Sequence, residues 1–315
     1  MKYLNDLGFK NIEQVLWLDV ETSTLEKELT EESPYWNAWE QKVRWDEKVV
    51  TVDDIKQRYK ERAPIYKEFA KVVSISYGRV IKGVLRVKTI NGSEKEIISE
   101  LFKDVETFVG GGVKFLGVFS GKQFDIPFIS YRAIVNDIPM IGSFDIGGIP
   151  VWNIKHLIDV QDILRGTSST TLSLEGVCAS FNIPSPKGGE VSASNVSEMF
   201  WVGEIDKIAE YNAKDVLATC NAFCKYLRIP QVVVEIVKDV KVEEPPILTK
   251  LYNTKQFSSE VKEYLKTLKI ETEEDKTNII KIVFTNYQEK GEKVGVKKDK
   301  EKEVTDFINS LQCVK

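Results

Sequence analysis

Asp19 and Glu21 stand two residues apart at the end of an apolar run, Val15-Leu-Trp-Leu-Asp-Val-Glu-Thr22. If that run is a β-strand, its period of two sends both carboxylates to one face. Two acids held side by side repel, and a hard cation such as magnesium or manganese, which takes oxygen ligands, would remove that cost. The same pattern also describes a strand running out into solvent with its last acids hydrated, and short motifs match often by chance. Further ligands must therefore come from elsewhere in the chain. Asp125 opens a helical stretch in Gly121-Lys-Gln-Phe-Asp-Ile-Pro-Phe128. There it could cap free amides, or reach across the carboxyl ends of the strands, where sites in open α/β sheets lie. Tyr211 and Asp215 are four apart, which puts phenol and carboxylate on one helix face about a turn from each other. Their plainer reading is a half-buried aromatic and a surface acid beside Lys214.

The elements that would position these groups follow from periodicity. Residues 204–227 give the clearest helix signal, with Ile205, Ile208, Asn212, Val216 and Phe223 along its apolar side. The spacing predicts strands at Val72–Tyr77 and Val80–Thr89 turning near Gly78, and Asn91-Gly92 reads as a second turn before a further short strand. A helix over Glu100–Phe108, stopped by glycines 110–112, then feeds an apolar strand at Val113–Phe119. The glycine triplet follows a helix and precedes a strand, the wrong order for a nucleotide-phosphate loop. Strands joined by helices and hairpins predict an α/β fold, a mixed sheet with helices on its faces. Between residues 31 and 70 lies a helical insertion with Trp36, Trp39 and Trp45, expected to cover their own apolar surface, with base stacking as the alternative.

Bulk properties narrow the function classes. The chain has 315 residues, a net charge of -4 and a single histidine, His156. The histidine count excludes sites that need several imidazoles. An acidic balance argues against a passive coat on nucleic acid, while leaving room for a nuclease with an acidic metal cluster and a local basic groove. Cys178, Cys220, Cys224 and Cys313 lack zinc-ribbon spacing and read as reduced, mostly buried residues. With no membrane-length apolar run and no signal peptide, the expected location is cytoplasmic.

Asp19 and Glu21, then Asp125, then Tyr211 and Asp215 resemble, in order and separation, the acids of the tyrosine-bearing DEDD 3'-5' exonucleases. The sequence is most similar to predicted exonucleases related to the proofreading domain of family B DNA polymerases. The resemblance runs over about residues 12–230 and includes Ile65–Val72, His156-Leu157 and Ile183-Pro-Ser-Pro-Lys187. It implies a ribonuclease H-like fold and two divalent cations, Mg2+ or Mn2+, held by Asp19, Glu21, Asp125 and Asp215, with Asp19 shared. It further implies Tyr211 orienting the attacking water, and Thr22, Ser120, Phe124 and Lys187 against the substrate. That substrate is expected to be single-stranded nucleic acid, DNA ahead of RNA, degraded to nucleoside monophosphates. Two departures stand out. Phe119-Ser120 occupies the place where relatives carry His-Asn, and Gly189–Ser194 replaces an acidic run. They keep open a catalytically weak or purely binding module on the same scaffold. The expected domains are the exonuclease at 1–232, a linker at 233–250 and a small α+β extension at 251–315, whose possible role is contact with a protein partner or nucleic acid.

Overall fold

The computed structural model describes residues 2–45, 51–186, 190–237 and 305–310. One compact unit comprises residues 1–109 and 113–240. Its elements in chain order begin with α1 (Lys2–Asp6), β1 (Val15–Thr24), α2 (Trp36–Val43), α3 (Val52–Arg62), β2 (Ala70–Ile81), β3 (Val84–Asn91), α4 (Glu94–Gly110) and β4 (Phe115–Val118). They continue with α5 (Asp125–Val135), β5 (Leu157–Asp159), α6 (Val160–Arg165), α7 (Leu174–Phe181), α8 (Val196–Trp201), α9 (Ile205–Leu227) and β6 (Val233–Ile236). The six strands form one sheet in the order β5-β4-β1-β2-β3-β6. The β1–β2–β3 meander is antiparallel, whereas β4 joins β1, β5 joins β4 and β6 joins β3 in parallel. This is the helix-flanked, mixed α/β sheet that the ribonuclease H-like resemblance implies.

β1 lies inside the sheet and is buried on both faces. On the face of its odd-numbered residues, Val15 and Trp17 share a core with Val216, Cys220 and Phe223 of α9. The Trp17 and Phe223 rings lie 5.3 Å apart. Each such side chain, once fully buried, contributes roughly 1.5–3 kcal/mol. Gly117 of β4 makes room for the indole, since a Cβ there would come within 2.5 Å of the Trp17 ring. On the other face Tyr77, paired opposite Leu18, packs edge-on to Phe108 of α4.

The hairpin differs from its predicted form. β2 and β3 turn at Lys82-Gly83, both with positive φ (51° and 81°), as a two-residue loop matching the strand twist requires. Gly78 instead lies within β2, where a Cβ would meet the Arg86 carbonyl at 2.4 Å. After Asn91-Gly92 comes α4 rather than a strand. Ser93 and Glu96 cap it reciprocally, the Ser93 hydroxyl accepting from the Glu96 amide and the Glu96 carboxylate accepting from the Ser93 amide.

Between β1 and β2, α2 and α3 have a core of their own. Trp36 and Trp39 are buried there with Ile55, Tyr59 and Phe69, and Trp39 meets Tyr59 and Phe69 edge-on at 5.4 and 5.0 Å. Trp45, by contrast, is 91% exposed. At the far edge β6 occupies Val233–Ile236, so the sheet runs four residues into the stretch expected as a linker. A second unit comprises residues 241–315 with Gly110–Gly112. Of its carboxyl-terminal part only a helical turn at 305–310 lies among the described residues, and the other expected elements of the extension lie outside them. No helix among the described residues is long and apolar enough to cross a membrane.

Candidate metal centre

The odd face of β1 that buries Val15 and Trp17 carries Asp19 and Glu21 two and four residues further on. Opposite them on β2 stand Ser76 and Ser74, both buried. Small side chains there leave space above the acids. Between Glu21 and Thr22 the register slips: Glu21 pairs with Ser74 and Thr22 with Val72, so Val73 is an extra residue. Such a bulge re-aims side chains, and Val73 packs in a cluster with Tyr211 and Ile208 of α9. α9 also delivers Asp215, and one oxygen from each of Asp19, Glu21 and Asp215 lies within 4.8 Å of the others.

Asp125 joins from the sheet's other side. β1 pairs with β4 only as far as Trp17, so the β1 amides beyond it need another acceptor on that edge. The Asp125 Oδ1 accepts the Val20 N–H at 3.2 Å, between the two β1 acids. Gly121 allows this approach, because a Cβ there would sit 2.5 Å from that of Val118 and 2.8 Å from Asp125 Oδ2. Asp125 thus lies beside the three-carboxylate group, with one oxygen committed to the backbone.

Glu21, Asp125 and Asp215 are almost completely buried and Asp19 is partly so. None of Asp19, Glu21 and Asp125 has an ion pair with a lysine or arginine among the described residues. Burial, reinforced by the neighbouring Asp215 and Asp125, raises the Asp19 and Glu21 carboxyls well above their ordinary range. Burial likewise pushes Asp125 up to about 7, with Asp159 and Asp215 adding to it. Collected, desolvated carboxylates without a cationic partner are costly. A divalent cation is the partner that oxygen donors of this kind suit, and the donor set fits it.

Tyr211 is buried and hydrogen-bonds Asp215. Desolvation, together with Asp215, Glu21 and Asp19, raises its phenol above the ordinary value. Next to it, Asn212 was legible only as part of an apolar helix face. It is wholly buried, and its Nδ2 donates to Asp19 Oδ2 at 2.6 Å while its Oδ1 accepts from the Ser74 hydroxyl at 3.4 Å. A polar residue in that stripe, three before Asp215, was the available signal. Asp159 is the second residue to add. It caps α6 and accepts the backbone N–H groups of Ser120 and Lys122 at 2.8 and 3.1 Å, fixing the loop that leads to Asp125.

The expected substrate contacts divide. Ser120 sits in that loop in the left-handed region, φ 63°. Phe124 immediately precedes Asp125 and is half-buried, its ring 5.4 Å from that of Phe128. Thr22 donates its hydroxyl to the Pro64 carbonyl at 2.7 Å, tying β1 to the end of the insertion. Lys187 lies outside the described residues.

A family model described as predicted 3'-5' exonucleases related to the exonuclease domain of PolB matches residues 64–268. The chain belongs to this family. The matched span includes Asp125, Tyr211 and Asp215. It begins after β1, so Asp19 and Glu21 join through the fold. Among solved structures the chain is similar to the family B DNA polymerase from the hyperthermophilic archaeon Pyrobaculum calidifontis, at 13% identity and a TM-score of 0.44 over 87% of this chain and 28% of the polymerase. It therefore spans less than a third of that polymerase's length. No curated protein matches it. An exonuclease domain implies a nucleic-acid substrate.

Proposed function

We propose that the chain is a divalent-metal-dependent 3'-5' exonuclease that hydrolyses the terminal phosphodiester bond of single-stranded DNA and releases nucleoside 5'-monophosphates. The convergence of Asp19, Glu21 and Asp215 within 4.8 Å carries this reading, with Asp125 and Tyr211 against the same group. Asp19, Glu21 and Asp215 would hold one cation, and Asp125 with Asp19 a second. Bound cations supply activation of the attacking water and stabilisation of charge on the phosphoryl oxygens and departing 3' oxygen. The residues themselves orient and hold. Asn212 fixes one Asp19 oxygen, and the Val20 amide fixes one Asp125 oxygen. A phenol is protonated at neutral pH, and its surroundings hold the Tyr211 phenol more firmly so. Tyr211 therefore positions water by hydrogen bonding rather than removing its proton.

The test follows 5'-labelled single-stranded DNA and RNA with Mg2+, Mn2+ or EDTA, for the native protein, Asp19→Ala and Tyr211→Phe. Metal-dependent shortening from the 3' end, lost in Asp19→Ala and reduced about a hundredfold or more in Tyr211→Phe, is expected. Strand binding without shortening would leave a binding module. Full activity in Asp19→Ala would reject the cluster.

A further inference from the structure

Beyond Glu21, β1 continues to Thr24 at the edge of a separate cavity of about 440 Å3. Thr24, Lys27, Gln57, Lys60, Ser197 and Trp201 line it, from the end of β1, α3 and α8. Three residues of strand separate Thr24 from Glu21, about 10 Å, so the cavity lies within the reach of a strand whose end occupies the carboxylate site.

Trp201 is held in one orientation. Its indole N–H donates to Thr24 Oγ1 at 2.9 Å, and the Lys71 ammonium lies over its ring at 4.6 Å. Thr24 is fixed in turn, its backbone N–H donating to Ser197 Oγ at 3.1 Å. An aromatic ring fixed at two points presents a stacking surface at small entropic cost. The lining charges are mostly balanced. Lys60 lies 3.9 Å from Glu28, and Glu61 pairs with Arg58 at 3.5 Å. Of the remaining lining charges, Lys27 and Glu198 oppose one another in sign. A phosphate, being anionic, gains little there, whereas a neutral, flat group finds the Trp201 ring to stack on, the Gln57 amide being held by Glu61 and the Ser197 hydroxyl by Ser23 and Thr24.

We infer that this cavity binds a nucleobase of the single-stranded substrate, one of the first few 5' of the scissile bond, with Trp201 as its stacking platform. The inference rests on the exonuclease reading for its ligand class and adds a second contact point on the strand.

The experiment scans fluorescein-labelled decanucleotides with one abasic site moved through positions one to six from the 3' end. Binding to the full chain is read by fluorescence anisotropy in EDTA, and hydrolysis is read separately with Mg2+. At one interior position the abasic site should weaken binding about five- to a hundredfold. Trp201→Ala should weaken the intact strand comparably and erase that positional dependence, while Trp201→Phe, which keeps a ring, should retain part of it. Circular dichroism of both variants excludes unfolding as the cause. A flat scan with the native protein, or a scan unchanged by Trp201→Ala, overturns the inference even if hydrolysis proceeds. A positional binding profile without hydrolysis upholds the cavity and removes the exonuclease reading.

Discussion

Replacing Asp125 by Asn should stabilise the metal-free protein, increasingly so as pH rises. Burial, with Asp159 and Asp215 beside it, pushes the Asp125 carboxyl up to about 7 from an ordinary 3.8. The folded state thus holds this proton more tightly than the unfolded chain does. Its contribution to stability is complete below pH 4, declines as pH climbs to about 7, and above that the fold bears the whole cost of a buried charge. A displacement of that size is worth roughly 4 kcal/mol, at about 1.4 kcal/mol per decade. Asparagine retains an oxygen for the Val20 N–H and removes the charge. In EDTA, scanning fluorimetry at pH 4, 5, 6, 7 and 8 should show Asp125→Asn near the native melting temperature at pH 4 and about 10 °C above it by pH 8. Added Mn2+ should raise the native protein more than the variant, which keeps the Asp19, Glu21 and Asp215 group but loses the Asp125 carboxylate. A difference that is constant with pH, or equal stabilisation of both proteins by Mn2+, would refute a buried Asp125 carboxylate that contributes to the cation site.

Asn212→Leu removes the donor to Asp19. A hydrogen bond to a charged group is worth about 1.5–3 kcal/mol, so Mn2+ affinity measured calorimetrically should fall roughly ten- to a hundredfold; unchanged affinity would mean Asn212 serves packing alone. Ser120→Asn places a residue that tolerates positive φ where φ is 63°. It should raise stability by up to about 1 kcal/mol, or about 2–4 °C in Tm, and a lower Tm would contradict it. Gly121→Ala puts a methyl 2.8 Å from Asp125 Oδ2. It should cost about 1–3 kcal/mol in denaturant unfolding and lower cation affinity as Asp125 is displaced, and a neutral result would show the loop yields freely.

The sequence made visible those parts of the site that obey a local period. Asp19 with Glu21 follows from a period of two and Tyr211 with Asp215 from a helical turn, and the structure brings both pairs to one place. Asn212 stayed hidden because its partner lies 193 residues away. A single amide on an apolar helix face does not announce what it bonds. Glycine misled for a related reason. Gly78 and Gly83 look alike in sequence, yet one is required by a neighbouring carbonyl and the other by a turn. The start of α4 could have been read from Ser93 and Glu96, a reciprocal cap outweighed by the more conspicuous Asn-Gly pair before it.

The carboxylate centre and the core beside it are two ends of one packed surface. Along β1 the same alternation that carries Val15 and Trp17 into the core carries Asp19 and Glu21 to the site. Along α9, Val216, Cys220 and Phe223 pack against those first two residues while Tyr211, Asn212 and Asp215 meet the second two. Moving α9 by one residue along β1 would break the Trp17–Phe223 contact and separate Asp215 from Asp19 together. Charged groups this close would drive the two elements apart, and the apolar end resists that, since losing a buried aromatic side chain costs about 3–5 kcal/mol. The fold can therefore hold mutually repelling acids in register before any cation arrives, which is what a preformed binding site for one requires.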